Sequence, residues 1–234
     1  MVEIAAQTWA ERAQAEIGAA ERFRMLADQL KRAQSHESIY ERVRAAEEEE
    51  ERHAQLCAEM AQKLGHPTGF ALISKDQASP HIYSWHGAVN ERDQALLDTV
   101  LMCCITESFN ACLLNRIYEQ MDEGEAKMLI HLILKDEVKH AQIGWGHLQY
   151  ESELRDCGFI TNYLIEMFDH SVRDQLFESY ERASNLDLCS FGVMPKPLRL
   201  EQFHDTLQYV IYPGFERMGI DTTPIKQWFE KHTM

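Results

Sequence analysis

Two Glu-x-x-His pairs recur along this chain on the apolar faces of predicted helices. Each pair places a carboxylate and an imidazole on one helix face, because residues three positions apart are neighbours on an α-helix. Each pair also follows a lone glutamate on an earlier apolar face, by 34 residues in the first half and by 30 in the second. The repetition predicts two similar helical hairpins. The six residues are Glu16, Glu50 and His53, then Glu107, Glu137 and His140.

Chance alone produces some Glu-x-x-His pairs. With 26 glutamates and 11 histidines among 234 residues, about one is expected by accident, and Glu201 with His204 forms a third. The residues at helical spacing around the first two pairs are otherwise apolar, whereas the row that continues from Glu201 is mostly polar. We therefore interpret the third pair as part of a solvent-exposed helix face. The glutamates beside Glu50, which are Glu48, Glu49 and Glu51, are likewise predicted to lie on the solvent face of their helix.

The first predicted helix offers two carboxylates, Glu16 and Glu21. Apolar residues at three- and four-residue steps surround Glu16, while Glu21 falls among polar residues. Glu107 has the same apolar surroundings in the third helix. Periodicity thus favours Glu16 and Glu107 as the inward carboxylates, with Glu21 as the alternative to Glu16.

Each of these four carboxylates and two imidazoles would destabilise the fold by roughly several kcal/mol if it were buried in the apolar interior without a partner. No lysine or arginine occupies these apolar faces to neutralise them. Bound cations resolve the conflict, and a mixed set of carboxylate and imidazole ligands suits iron or manganese. The sequence predicts two iron ions, with manganese or a mixed manganese and iron pair as alternatives.

Residues 5–150 resemble the ferritin-like di-iron carboxylate superfamily. Within it the overall plan is most similar to small oxygen-activating enzymes such as the aldehyde-deformylating oxygenases, which also carry extra helices after the fourth ligand helix. The motifs that carry the resemblance are Glu16-x6-Phe23, Glu50-Glu51-Arg52-His53-Ala54-x-Leu56-Cys57, Glu107, and Asp136-Glu137-x-x-His140.

The resemblance implies a non-haem di-iron oxygenase or oxidase that activates O2 to oxidise a small organic substrate. Three ligands from each half would hold one iron, with one glutamate from each half as a bridge. Electrons would come from an external donor such as a ferredoxin or reductase, because the sequence lacks a flavin or nicotinamide motif and a cysteine cluster. The alternative is a ferritin-like iron-binding or ferroxidase protein without an organic substrate.

Other members of the superfamily fit less well. Arylamine N-oxygenases add a histidine one turn before the second pair, where this chain has Ile133. Rubrerythrins append paired Cys-x-x-Cys motifs, which the six scattered cysteines do not form. Ferritin cages usually stop after one shorter fifth helix, whereas about 80 residues follow the fourth helix here.

The predicted fold is all-α: a ferritin-like four-helix bundle with a long crossover and additional C-terminal helices. It forms one domain, residues 1–234, with the metal-binding bundle in 1–155 and a helical extension in 156–234. Small residues near the ligands predict room for a substrate: Ala20, Cys103, Ala111 and Gly144. The predicted helices are 4–33, 38–64, 91–119 and 125–154, with the crossover in 65–90. Tight turns are predicted at Gln34-Ser35 and at Asp122-Glu123-Gly124, and Gly65-His66-Pro67 is predicted to end the second helix.

The amino-acid composition limits the classes of partner that this chain can bind. A net charge of −15 disfavours nucleic acid, whose binding requires clustered lysine and arginine. The start of the chain lacks the features of a secretory signal and no run of 18 apolar residues occurs, so we expect a cytoplasmic protein without a membrane span. The cysteines are then reduced packing residues. The chain is compatible with a monomer or a homodimer.

Two further residues are candidates for supporting the ligands. His147 lies two turns beyond His140 on the same face. It could hydrogen-bond to one of the ligands or act as an additional ligand. A core histidine that makes an ordinary hydrogen bond is the competing interpretation. Asp136 points away from the ligand face and could instead orient an imidazole on a neighbouring helix.

Overall fold

The computed structural model describes residues 1–67, 85, 87, 90–171 and 186–233, and these residues form helices without a β-strand. The all-α prediction is confirmed, and the four long helices begin and end within two residues of the predicted positions. They are α1 (Val2–Arg32), α2 (Glu37–Lys63), α3 (Glu91–Gln120) and α4 (Glu125–Leu154). The shorter helices that follow are α5 (Leu164–Ser171), α6 (196–217) and α7 (Thr223–Thr233).

The four long helices pack side by side. Helix α1 contacts α2 and α3, and α4 contacts the same two helices. Lys63 at the end of α2 pairs with Glu125 at the start of α4, and Arg32 at the end of α1 lies 3.5 Å from Glu91 at the start of α3. Helix α2 therefore ends, and α3 begins, at opposite ends of the four helices. The predicted crossover, 65–90, falls mostly outside the described residues.

Helices α1 and α2 each end at a residue with left-handed backbone geometry. The φ angle is +53° at Gln34 and +91° at Gly65. After α2, the amide of His66 donates a hydrogen bond to the carbonyl of Ala61 at 2.9 Å. This pattern closes a helix by satisfying its last free carbonyls. The predicted ends of both helices are confirmed.

The C-terminal helices pack against α3. Their aromatic side chains join the apolar residues of the outward face of α3 in one large core cluster, which includes Phe168, Phe203, Phe215 and Trp228. Helix α3 is apolar and long enough to pass for a membrane span, but 72% of its most apolar stretch is buried inside the molecule. That burial is typical of a core helix.

The cysteines pack in the interior. All six are free and five are buried. Burial raises the pKa of the Cys57, Cys103 and Cys104 thiols well above the usual value, and a protonated thiol is a poor metal ligand. The prediction of reduced packing residues agrees with this arrangement.

Candidate metal centre

The four long helices bring all six predicted ligand residues together in the interior. Because α2 and α4 run antiparallel, the two Glu-x-x-His pairs face each other across the helix interface. Each of the six side chains is at most 9% exposed. Helix α1 carries Glu16, α2 carries Glu50 and His53, α3 carries Glu107, and α4 carries Glu137 and His140.

The ligand atoms form two overlapping groups that could each hold a metal ion. Within each group, one ligand atom of every residue lies within 4.8 Å of the others. Two carboxylates, Glu50 and Glu137, belong to both groups, so they are placed to bridge two ions. The first group is Glu16, Glu50, His53 and Glu137, and the second is Glu50, Glu107, Glu137 and His140.

In each candidate ligand histidine, Nε2 contacts a carboxylate on the opposing helix. His53 Nε2 lies 3.2 Å from Asp136 Oδ2, and His140 Nε2 lies 2.9 Å from Glu49 Oε2. Nδ1 of each ring then faces the other ligands, at 3.3 Å from Glu50 Oε2 for His53. Carboxylates in this position fix the ring orientation and make an imidazole a stronger ligand.

Asp136 thus occupies the place suggested for it, whereas the prediction that Glu49 belongs to the solvated face of α2 is wrong. The sequence contained a usable signal, because a carboxylate immediately precedes the ligand glutamate in both pairs. Its function becomes visible only when the two helices face each other.

Burial and mutual repulsion dominate the electrostatics of the centre. Burial, reinforced by neighbouring carboxylates, raises the pKa of Glu16 and Glu137 well above the usual value, and burial raises the pKa of Glu107. Burial also acts to raise the pKa of Glu50, but the neighbouring imidazoles of His140 and His53 outweigh it and lower the pKa. Without metal, burial and mutual repulsion therefore favour the protonated forms of Glu16, Glu137 and Glu107.

His140 carries the complementary charge. Burial acts to lower its pKa, but Glu49 and Glu50 outweigh burial and raise it to about 10. A protonated imidazole cannot bind a metal, so metal binding must displace this proton and those on the carboxyl groups. Metal affinity should therefore fall as the pH falls.

Three buried ligand atoms have no hydrogen-bond partner among the described residues: Glu50 Oε1, Glu137 Oε2 and His140 Nδ1. His140 Nδ1 lies 2.9 Å from Glu50 Oε1, yet the contact lacks hydrogen-bond geometry. Unpaired polar atoms in an interior are unusual because each loses its hydration without compensation. All three are carboxylate or imidazole atoms of the kind that bind iron or manganese, so the donor set fits metal ions.

Helix α3 leaves α-helical geometry between Val100 and Glu107, where its backbone forms a π-helix. Such segments are rare and recur at functional sites, and here the segment ends at Glu107, one of the candidate ligands. Helix α4 packs on it so closely that a Cβ atom added to Gly144 would lie 2.6 Å from the backbone nitrogen of Cys104. The backbone of α3 fills the space expected at Gly144, so that prediction is wrong.

A cleft of about 280 Å³ between α1 and α3 reaches the ligands. Its wall includes Glu16, Glu107 and Glu137, and Ala15 and Ala19 contribute small side chains beside Glu16. The candidate centre is thus connected to a space for a small molecule. The four residues predicted to leave this room, Ala20, Cys103, Ala111 and Gly144, do not line the cleft.

Neither metal-binding group includes His147. Its Nδ1 lies 3.2 Å from Thr99 Oγ1, whose own proton is donated to the Ala95 carbonyl, so the imidazole donates and Thr99 accepts. Nε2 lies 3.9 Å from Glu151, a carboxylate paired with Arg92 and Arg155. The structure agrees with the interpretation of His147 as a core histidine that makes an ordinary hydrogen bond.

His147 should make the protein less stable in acid. Burial lowers its pKa from 6.5 to about 4, with Arg92 and Arg155 also disfavouring charge and Glu151 opposing them. The unfolded chain therefore takes up the proton first, and stability falls as the pH falls from 6.5 towards 4. Between pH 7 and 4 the wild type should lose about 3 kcal/mol more unfolding free energy than His147→Asn. Urea unfolding at several pH values measures this difference, and a constant difference would contradict it.

The remaining candidates lie elsewhere. Glu21 pairs with Arg24 on the surface of α1, so Glu16 is the α1 carboxylate that reaches the centre. Glu201 and His204 are exposed on α6, as expected for the third Glu-x-x-His pair. His81 and His86, which lie off the ligand faces in the sequence, fall outside the described residues.

Comparison with known proteins does not add to this geometry, since no family model, curated protein or solved structure matches the chain. The all-helical fold and a buried cluster of glutamate and histidine able to hold metal are what the residues themselves establish.

Proposed function

We propose that this chain is a ferritin-like, non-haem di-iron oxygenase or oxidase that uses O2 to oxidise a small organic substrate. The observation that carries the proposal is the pair of ligand groups that share Glu50 and Glu137. A Glu from each of two helices and a Glu-x-x-His pair from each of the other two is the ligand set of ferritin-like di-metal proteins. The cleft beside Glu16 and Glu107 supports an enzyme over a storage protein.

In this proposal the protein holds the ligands in fixed orientations. Asp136 and Glu49 fix the two imidazoles so that Nδ1 of each ring faces the shared carboxylates. Phe23 packs against the ring of His140 with 5.2 Å between ring centroids, which limits rotation and excludes water on that side. The reactive region is then dry except where the cleft enters.

Bound iron would supply the reduction of O2, with one oxygen atom passing to the substrate and the other leaving as water, at the expense of two electrons and two protons. The electrons require an external donor, for which a ferredoxin or a reductase is the expected class. The protein's own part is to bind the substrate in the cleft and to keep water from the ligands.

Metal analysis and O2 consumption test the proposal together. Protein expressed with iron and freed of loosely bound metal should contain about two irons per chain. After anaerobic reduction, admitting O2 should consume about one O2 for each pair of irons and leave the iron bound at the same ratio. Protein without stoichiometric metal would exclude the di-metal centre.

The storage alternative has a different outcome in the same experiment. A ferroxidase should keep consuming O2 as ferrous iron is added and accumulate ferric mineral, detected as light scattering, well beyond two irons per chain. That result would replace the oxygenase proposal with iron sequestration at the same ligands.

A further inference from the structure

The cleft that reaches the ligands is lined by three arginines, Arg12, Arg22 and Arg199. Four glutamates line the same cleft, Glu11, Glu16, Glu107 and Glu137, and the last three of them belong to the candidate metal centre. Among the described residues, Arg12 and Arg22 have no carboxylate within ion-pair distance, although Arg12 acts electrostatically on Glu16 and Arg22 on Glu107. Metal ions at the centre would neutralise those three glutamates, and the rest of the cleft would then carry three arginines and Glu11, a local excess of positive charge that attracts anionic ligands.

Two contacts hold the Arg12 side chain in place. Its Nη2 donates a hydrogen bond to the carbonyl of Gly192 at 3.2 Å, and its guanidinium lies 4.4 Å from the centroid of the Trp9 ring. Its Nη1 is buried without a hydrogen-bond partner among the described residues. A buried guanidinium N–H without a partner is costly, and a carboxylate is the partner whose geometry matches it best.

Apolar side chains lie on the same side of the ligands as Arg12. Because α1 and α3 run antiparallel, residues before Glu16 on α1 lie level with residues after Glu107 on α3. Arg12 precedes Glu16 by one helical turn, about 6 Å along the axis. The cleft wall on α3 after Glu107 includes Phe109, Leu113 and Leu114.

We propose that this cleft binds a small organic carboxylate, with its carboxylate at Arg12 and its apolar part directed along α3 towards Glu16 and Glu107. The inference rests on the proposed function only in identifying the bound acid as the substrate. The volume, about 280 Å³, is near the lower limit of roughly 300–1,000 Å³ for ligand pockets, so the acid is small.

Binding of hexanoate and hexan-1-ol to the full-length, zinc-loaded protein tests the inference by calorimetry, because zinc supplies no redox chemistry. Hexanoate should bind roughly tenfold or more tightly than the alcohol, since hydrogen bonds to charged groups are the stronger ones. Arg12→Gln should remove that preference. Arg24→Gln, on the same helix but outside the cleft, should keep it.

The orientation of the bound acid provides a test in the wild-type protein, which stands even if Arg12→Gln does not fold. In manganese-loaded protein, proton relaxation of bound hexanoate should be faster at the methyl group than at the methylene beside the carboxylate. The reverse order would show the carboxylate at the metal, which would overturn the role of Arg12.

Failure of this inference is distinguishable from failure of the proposed function. Metal content is measured on every sample, and protein without metal would refute the proposed function, while the same two ligands still test the cleft of the metal-free protein. Equal binding of acid and alcohol, or no hexanoate binding, overturns the carboxylate site. An Arg12→Gln variant that loses metal but keeps the preference for hexanoate would show that Arg12 only balances the ligand carboxylates.

Discussion

Glu50→Gln and Glu137→Gln should each reduce bound iron from about two ions per chain to nearly none. Both residues belong to both ligand groups, so either change removes a charged ligand from both ions at once. Glu16 belongs to one group only, and Glu16→Gln should therefore keep about one ion. Elemental analysis after iron loading and removal of excess metal measures the ratio.

Neighbouring glutamates on α2 provide graded controls for this result. Glu48→Gln changes an exposed carboxylate and should leave the iron content unchanged. Glu49→Gln weakens the support of His140 and should lower metal affinity by about 10- to 100-fold without abolishing binding. Helical content by circular dichroism identifies variants that fail to fold. A folded Glu50→Gln protein with full iron would refute the shared-ligand arrangement.

Gly144→Ala should lower the free energy of unfolding by about 2–3 kcal/mol, although alanine favours helices. The added Cβ would lie 2.6 Å from the backbone nitrogen of Cys104 and 2.7 Å from Cys103 Cβ. Backbone atoms cannot swing aside as a flexible side chain can, so α4 must move away from the π-helical segment. Glu107 ends that segment, and metal retention should fall together with stability.

Gly146→Ala is a matched control in the same helix. The nearest atom to its added Cβ is Arg42 Nη1 at 3.9 Å, an ordinary contact. This variant should gain roughly 0.5–1 kcal/mol, because alanine loses less conformational entropy than glycine in a helix. Urea unfolding of both variants gives the comparison. Equal effects would contradict the close approach of α4 to α3 at Gly144.

The four long helices could be predicted because each depends on local information. Apolar residues at helical spacing marked the buried faces, and the turns after α1 and α2 followed from Gln34-Ser35 and Gly65. The π-helical segment in α3 could not be predicted in this way. It is a change of hydrogen-bonding register within a continuous apolar helix, and the packing of α4 at Gly144 accompanies it.

The six candidate ligands could also be predicted from the sequence, since polar side chains interrupt apolar helix faces at those positions. The carboxylates that contact the two histidines were harder to predict. Asp136 and Glu49 each precede a candidate ligand glutamate, yet helical spacing predicts a solvent-facing position for Glu49, which instead contacts His140. Helical spacing predicts the face of its own helix on which a side chain lies. It does not predict which side chain of the opposing helix lies next to it.

The sequence by itself determined the helices, their buried faces and the six candidate ligands, because burial of apolar surface and the cost of unpaired charge act at each position along a helix. Only the tertiary structure decided that Glu50 and Glu137 belong to both candidate ligand groups, that His147 hydrogen-bonds to Thr99, and that Arg12 lines the cleft. These relations join residues on different helices. Their distances depend on how α1, α3 and α4 approach one another, which is set by side-chain packing across the whole interior.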